Sequence, residues 1–87
     1  MITDIEARVM EIIKYQRRIG EAPISLDTNL MTEKNLDSLE LAEIVMDVED
    51  EFRITIPESD YDLFRQSPTP RKIIEYVAKR EEVNSAP

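Results

Sequence analysis

Leu41, Ile44, Val45, Val48 and Phe52 return every three or four residues, and at ~100° per residue they fall within one arc about 100° wide. A half-buried strand would need strict alternation, so this segment is a helix with one core-facing stripe. Its start is marked as well. Asp37 precedes the stripe and Glu40 follows three residues later, the two halves of a capping box. The pattern predicts a helix from Asp37-Ser38 to about Phe52.

Three further segments read as helical. Thr3 and Glu6 match a capping box, Ile5, Val9, Ile12 and Ile13 form a stripe, and Arg17, Arg18 and Gly20 supply end cations and a left-handed stop. These features predict a helix over 4–18. Residues 20–36 read as a long loop, broken by Pro23, Asp27, Thr28 and Asn29 and pinned to the core by Ile24, Leu26, Leu30 and Leu36. Loops of that length in a small domain are often functional. Ile54-Thr55-Ile56-Pro57 is extended, as the residue before proline prefers. A short helix follows near 60–64. Thr69-Pro70 then caps and opens a last helix with Ile73, Ile74 and Val77 inward. The expectation is an all-α domain over 1–81, with 82–87 a frayed polar tail.

Composition removes most chemistry from consideration. The 87 residues suffice for one small domain, and they include no histidine, cysteine or tryptophan and one glycine. That excludes a zinc finger, a Ser-His pair, a thiol nucleophile, a disulfide frame and a glycine-rich phosphate loop. Asp60-Tyr61-Asp62-Leu63-Phe64 lacks the third ligand and turning glycine of a calcium loop. No acid–base pair stands out, so an enzyme is not expected. The formal charge of −8 disfavours nucleic acid and anionic membranes. No apolar run could span a bilayer, and Met1-Ile2-Thr3-Asp4 is unlike a signal peptide, so a cytosolic, monomeric protein is expected.

The charge is concentrated. Asp37 to Asp62 holds ten acids and one base, Arg53, while the rest of the chain is nearly balanced. Glu43–Asp47 and Asp47–Glu51 are like-charge pairs one helical turn apart. Such self-repulsion predicts marginal stability at low salt and a higher melting temperature with magnesium. The same helix carries a second apolar stripe, Leu39, Ala42 and Met46, roughly 140° from the first. Glu43, Asp47 and Asp50 flank it on one side and Glu49 on the other. An acidic run alone fits a solvated face. Together with a surplus apolar stripe it favours a docking surface for basic partners.

Ser38 is the first residue after the cap, beside free backbone N–H groups and the positive end of the helix dipole. That place favours a phosphate ester on its hydroxyl. An ordinary helix-start serine would occupy the same position. With no histidine in the chain, Ser38 is not an activated nucleophile, and any modification needs another protein.

Asp37-Ser38-Leu39-Glu40, Glu43-Ile44-Val45-Met46, Glu49-Asp50-Glu51-Phe52 and Ile56-Pro57 together resemble an acyl carrier protein. Ile5-Glu6-Ala7-Arg8-Val9 with Ile12-Ile13 resembles that family's first helix, and Ile74-Glu75-Tyr76-Val77 its last. The resemblance implies a small four-helix bundle with a long loop between helices one and two and a short third helix. It implies 4′-phosphopantetheine on Ser38, attached from coenzyme A by a phosphopantetheinyl transferase using magnesium, with Asp37 and Leu39 completing the attachment motif. Acyl groups of fatty acid, polyketide or related biosynthesis would ride on the arm as thioesters. Leu39, Ala42, Glu43, Met46, Asp47, Glu49 and Asp50 would dock acyltransferases, ketosynthases or acyl ligases with basic patches. Ile44, Val45, Val48, Ile56, Tyr61 and Phe64 would line an acyl pocket.

Departures from the family pattern are informative. Asn35 stands where glycine is usual, and asparagine tolerates the left-handed region. Lys34 replaces a common loop leucine, and the chain is a few residues longer around Gln66-Ser67-Pro68. Tyr61 and Phe64 are bulky where an acyl chain would enter, which points to short or polar acyl groups. Two other readings remain at this level: an aminoacyl or peptidyl carrier, and an unmodified acidic module mimicking phosphate. The mimic has no need of Ser38, Leu39 or Met46.

Overall fold

A computed structural model describes residues 2–15 and 24–84. Among these, four α-helices form and no strand does: α1 (Ile2–Lys14), α2 (Ser38–Phe52), α3 (Tyr61–Gln66) and α4 (Pro70–Asn84), with a 3-10 turn at Glu58–Asp60 leading into α3. The chain is an all-helical bundle with a long loop before α2 and a short third helix, as the sequence implies.

Two ends of α1 differ from expectation. Thr3 already has helical backbone, whereas a capping residue needs a non-helical one, so the Thr3–Glu6 box is not the start of this helix. The helix closes at Lys14, four residues early, with Tyr15 in a turn. Arg17, Arg18 and Gly20 lie outside the described residues. Ile5, Val9 and Ile13 are buried and Ile12 sits at the core edge, so the stripe itself is as read.

The loop folds onto the bundle by named bonds. Asn29 Oδ1 accepts the N–H groups of Met31 and Thr32, and Glu33 Oε2 accepts the N–H of Asn29. Leu30 N–H donates to the Pro68 carbonyl at 2.8 Å, and Arg71 N–H to that of Leu26 at 2.9 Å. Leu30 and Leu36 are buried, and Ile24 and Leu26 pack half-buried against the core. Asn35 takes φ 58°, the left-handed conformation that lets the chain turn into α2.

At α2 the capping box is complete: Glu40 N–H donates to Asp37 Oδ1 at 2.8 Å, and Asp37 N–H to Glu40 Oε1 at 3.1 Å. The buried residues of α2 are Leu41, Ile44, Val45, Val48 and Phe52, the stripe read from spacing. Its far end is less conventional. Arg53 caps it at φ 54°, and the Ile54 N–H reaches back to the Glu49 carbonyl, a Schellman-type closure made without glycine. Ile54 and Ile56 then enter the core from the extended linker, joined by Phe64 of α3 and by Ile73, Ile74 and Val77 of α4. Thr69 Oγ1 accepts the Lys72 N–H, capping α4 ahead of Pro70 as expected. That helix runs on to Asn84, past Glu81, and 85–87 lie outside the described residues. No described helix is long and apolar enough to cross a membrane.

Candidate functional site

The capping box decides where Ser38 stands. By fixing Asp37 as the last extended residue, it makes Ser38 the first residue of α2 and leaves it exposed. The first-turn N–H groups of a helix have no intrahelical acceptor, and Asp37 takes only that of Glu40. An anion on the Ser38 hydroxyl would therefore meet donors and a favourable dipole.

Beside Ser38 lies a small hollow between α2 and α3. Leu41, Ala42 and Val45 form one wall, and Tyr61, Phe64 and Arg65 the other. Its volume is about 10 Å³, room for one water at most. Phe64 is a buried member of its lining. The ring is buried, and Tyr76 of α4 meets it edge-on with centroids 5.3 Å apart. Tyr76 is itself held: its hydroxyl donates to Asp60 Oδ2 at 2.6 Å and accepts from Arg80 Nη1 at 3.1 Å. Burial, and then the bond to Asp60, push the Tyr76 phenol above its ordinary pKa. Tyr61 is also raised, by burial first and then by the nearby carboxylates of Glu49 and Glu58.

Of the residues read as an acyl pocket, Val45, Tyr61 and Phe64 line this hollow. Ile44, Val48 and Ile56 are core residues away from its lining. Arg65 is the one charged residue of the lining, alongside Ser38 and Tyr61, and no carboxylate residue is among them.

The second stripe of α2 faces outward. Leu39 is 70% exposed and Met46 58%, with Ala42 half-buried at the margin. Glu43, Asp47 and Asp50 are exposed beside them, and no ion pair joins them to another described residue. Glu49 is different. It is half-buried, and its Oε2 accepts the Ile56 N–H at 2.8 Å. Glu51 is engaged by Arg8, whose guanidinium donates to it at 2.8 Å and stacks 4.3 Å from the Phe52 ring centroid. Sequence reasoning missed two neighbours. Leu63 of α3 is 42% exposed, adding apolar surface, and Arg65 sits in the hollow beside Ser38. Arg65 carried a signal: it is the first base after the acid-rich stretch.

Among the described residues, no three carboxylates are grouped to hold a metal. A larger recess of about 530 Å³ between α1 and α2 is lined by Arg8, Glu11, Ile12, Tyr15, Asp47, Asp50 and Glu51 and does not include Ser38. Size alone would favour that recess. Chemistry favours the hollow, whose lining brings together Ser38, Arg65 and apolar side chains. A family model described as a phosphopantetheine attachment site matches residues 7–77, spanning all four helices at least in part.

Proposed function

The chain belongs to the phosphopantetheine-attachment family, a carrier family rather than an enzyme family, and from that premise we propose that Ser38 bears the arm. The family's cofactor is covalently attached 4′-phosphopantetheine. The arm supplies a thiol on which acyl groups ride as thioesters, chemistry that a chain without cysteine lacks. One observation carries the reading. Ser38 is exposed on the first turn of α2, at the mouth of a hollow whose only charge is a cation.

The roles of the surrounding residues follow from their positions. Asp37 fixes the helix start and so the placement of the Ser38 hydroxyl. No histidine is present to deprotonate it, so the transferase must supply the base. Leu39, Ala42 and Met46 offer apolar contact, while Glu43, Asp47 and Asp50 attract and orient partners with Arg and Lys patches. Acyltransferases, ketosynthases or acyl ligases of fatty acid or polyketide assembly fit this surface. A cytoplasmic monomer would keep it open to them. Glu49 belongs to this set only through its position, because its carboxylate is turned to the Ile56 amide.

The hollow favours a short or polar acyl group. With Phe64 held by Tyr76, about 10 Å³ leaves no space for an alkyl chain. Core resonances should shift little between acetyl and octanoyl forms, and large octanoyl-specific shifts would contradict this. The attachment itself is tested by incubating the chain with coenzyme A, magnesium and a broad-specificity phosphopantetheinyl transferase. Intact mass should rise by one arm, and Ser38→Ala should abolish the gain. A variant that gains the same mass as wild type would refute the assignment.

A further inference from the structure

We propose that Arg65 is a positioning residue for the phosphate of the arm, turning from Asp62 to the phosphodiester once Ser38 is loaded. This inference rests on Ser38 as the attachment point.

The observation behind it is a juxtaposition across two helices. Arg65 of α3 and Ser38 of α2 line the same hollow, although 27 positions separate them in the chain. Between Asp37 and Phe64 the only base is Arg53, which caps the opposite end of α2. A helix of this length spans roughly 22 Å at ~1.5 Å per residue, so Arg53 is far from the hydroxyl. Lys34 stands four residues before Ser38 in the loop but is not part of the lining of the hollow, and the cation that shares that lining with Ser38 is Arg65.

Its present partner holds it weakly. Arg65 Nη1 meets Asp62 Oδ1 at 2.8 Å, one turn away on the same short helix, with side chains 54% and 68% exposed. Ion pairs that open to water contribute little. A phosphodiester offers two unesterified oxygens and one negative charge, which the planar guanidinium fork can grip with two parallel bonds. Exchange of Asp62 for phosphate would tie α3 to the start of α2. It would also offset the charge that the ester adds to an already acidic segment.

The test uses the whole chain, loaded and unloaded, and reads nuclear magnetic resonance rather than activity. On loading, the Arg65 Nε–H proton should move downfield. The phosphorus resonance of loaded Arg65→Gln should differ from wild type, and Arg65→Lys should restore part of the difference. Asp62→Asn removes the competitor and should leave the phosphorus resonance at the wild-type position or displaced further in the same direction. An Arg65 Nε–H unchanged by loading, with the same phosphorus resonance in Arg65→Gln as in wild type, overturns the inference while leaving attachment standing. A wild-type chain that gains no mass from the transferase overturns the attachment reading, and this inference with it.

Discussion

Glu49 Oε2 accepts the backbone N–H of Ile56 at 2.8 Å, so one acid of the anionic helix anchors the linker that follows it. The bond spans the left-handed cap at Arg53 and sets Ile54 and Ile56 into the core. Glu49→Ala leaves a half-buried N–H without its acceptor and should cost about 1–2 kcal/mol. Glu49→Gln keeps an acceptor oxygen and should cost clearly less. Urea denaturation of both variants checks the order, and a neutral Glu49→Ala would show that the carboxylate is dispensable to the fold.

Tyr76 supports the floor of the hollow through Asp60 and Arg80. Tyr76→Phe keeps the ring against Phe64 but loses both bonds, for an expected loss of about 1–2 kcal/mol at neutral pH. The sign of the pH effect follows from the raised phenol pKa. The folded state favours the protonated form, so the contribution is complete at neutral pH and is lost as pH rises through the raised value. Stability measured across the alkaline range should therefore fall more steeply in wild type than in Tyr76→Phe.

Arg71 clamps the loop before α2 by donating to both oxygens of Asp27, at 2.8 and 3.2 Å. The bond from Arg71 holds the Asp27 carboxyl below its ordinary pKa. A depressed carboxyl contributes stability above its unfolded value and loses it as pH falls through the folded one. Asp27→Asn should melt below wild type at neutral pH, and the two curves should converge in acid. Parallel curves at every pH would show that the ionised pair contributes nothing.

The exposed stripe predicts a separation of fold from function. Leu39→Ala and Met46→Ala remove side chains that are mostly in water, so stability should stay within about 0.5 kcal/mol of wild type. Loading by the transferase should nonetheless require several-fold more carrier, because apolar anchors dominate docking. Charge reversal at Glu43 and Asp47 should slow association and weaken its dependence on salt. Kinetics at two ionic strengths distinguish these effects from misfolding.

Salt should act on the apo chain as a diffuse atmosphere. Monovalent salt should raise the melting temperature by screening Glu43, Asp47 and Asp50. Magnesium should do the same without saturating at one ion per chain, since the described residues hold no chelating group. A tight stoichiometric magnesium isotherm in calorimetry would contradict this.

Much of the fold was legible because its signals are local. The α2 cap, its buried stripe and its surplus stripe all depend on spacings of three and four residues, and each lies where that spacing puts it. Asn35 in the left-handed region follows from the resemblance, since it stands where the family has glycine and asparagine tolerates that region. Arg53 in the same region was not legible, since nothing adjacent marks an arginine for a role glycine usually takes. Thr3 failed as a cap because a Thr-x-x-Glu pattern does not by itself fix which residue the helix starts from. Around the site, Ser38 could be placed from its own turn. The bond donated by the Ile56 N–H to Glu49 depends on how the linker turns back on α2, and the sharing of one hollow by Ser38, Phe64 and Arg65 arises only when α3 packs, a tertiary event with no local periodicity.

Fragmentation mass spectrometry of the loaded native chain locates the arm bond by bond. The mass of one pantetheine phosphate should fall on Ser38 alone, with Ser25, Ser59, Ser67 and Ser85 unmodified. Its discovery on any of those four hydroxyls, or a chain that stays bare after prolonged incubation, would contradict a tether at the first turn of α2.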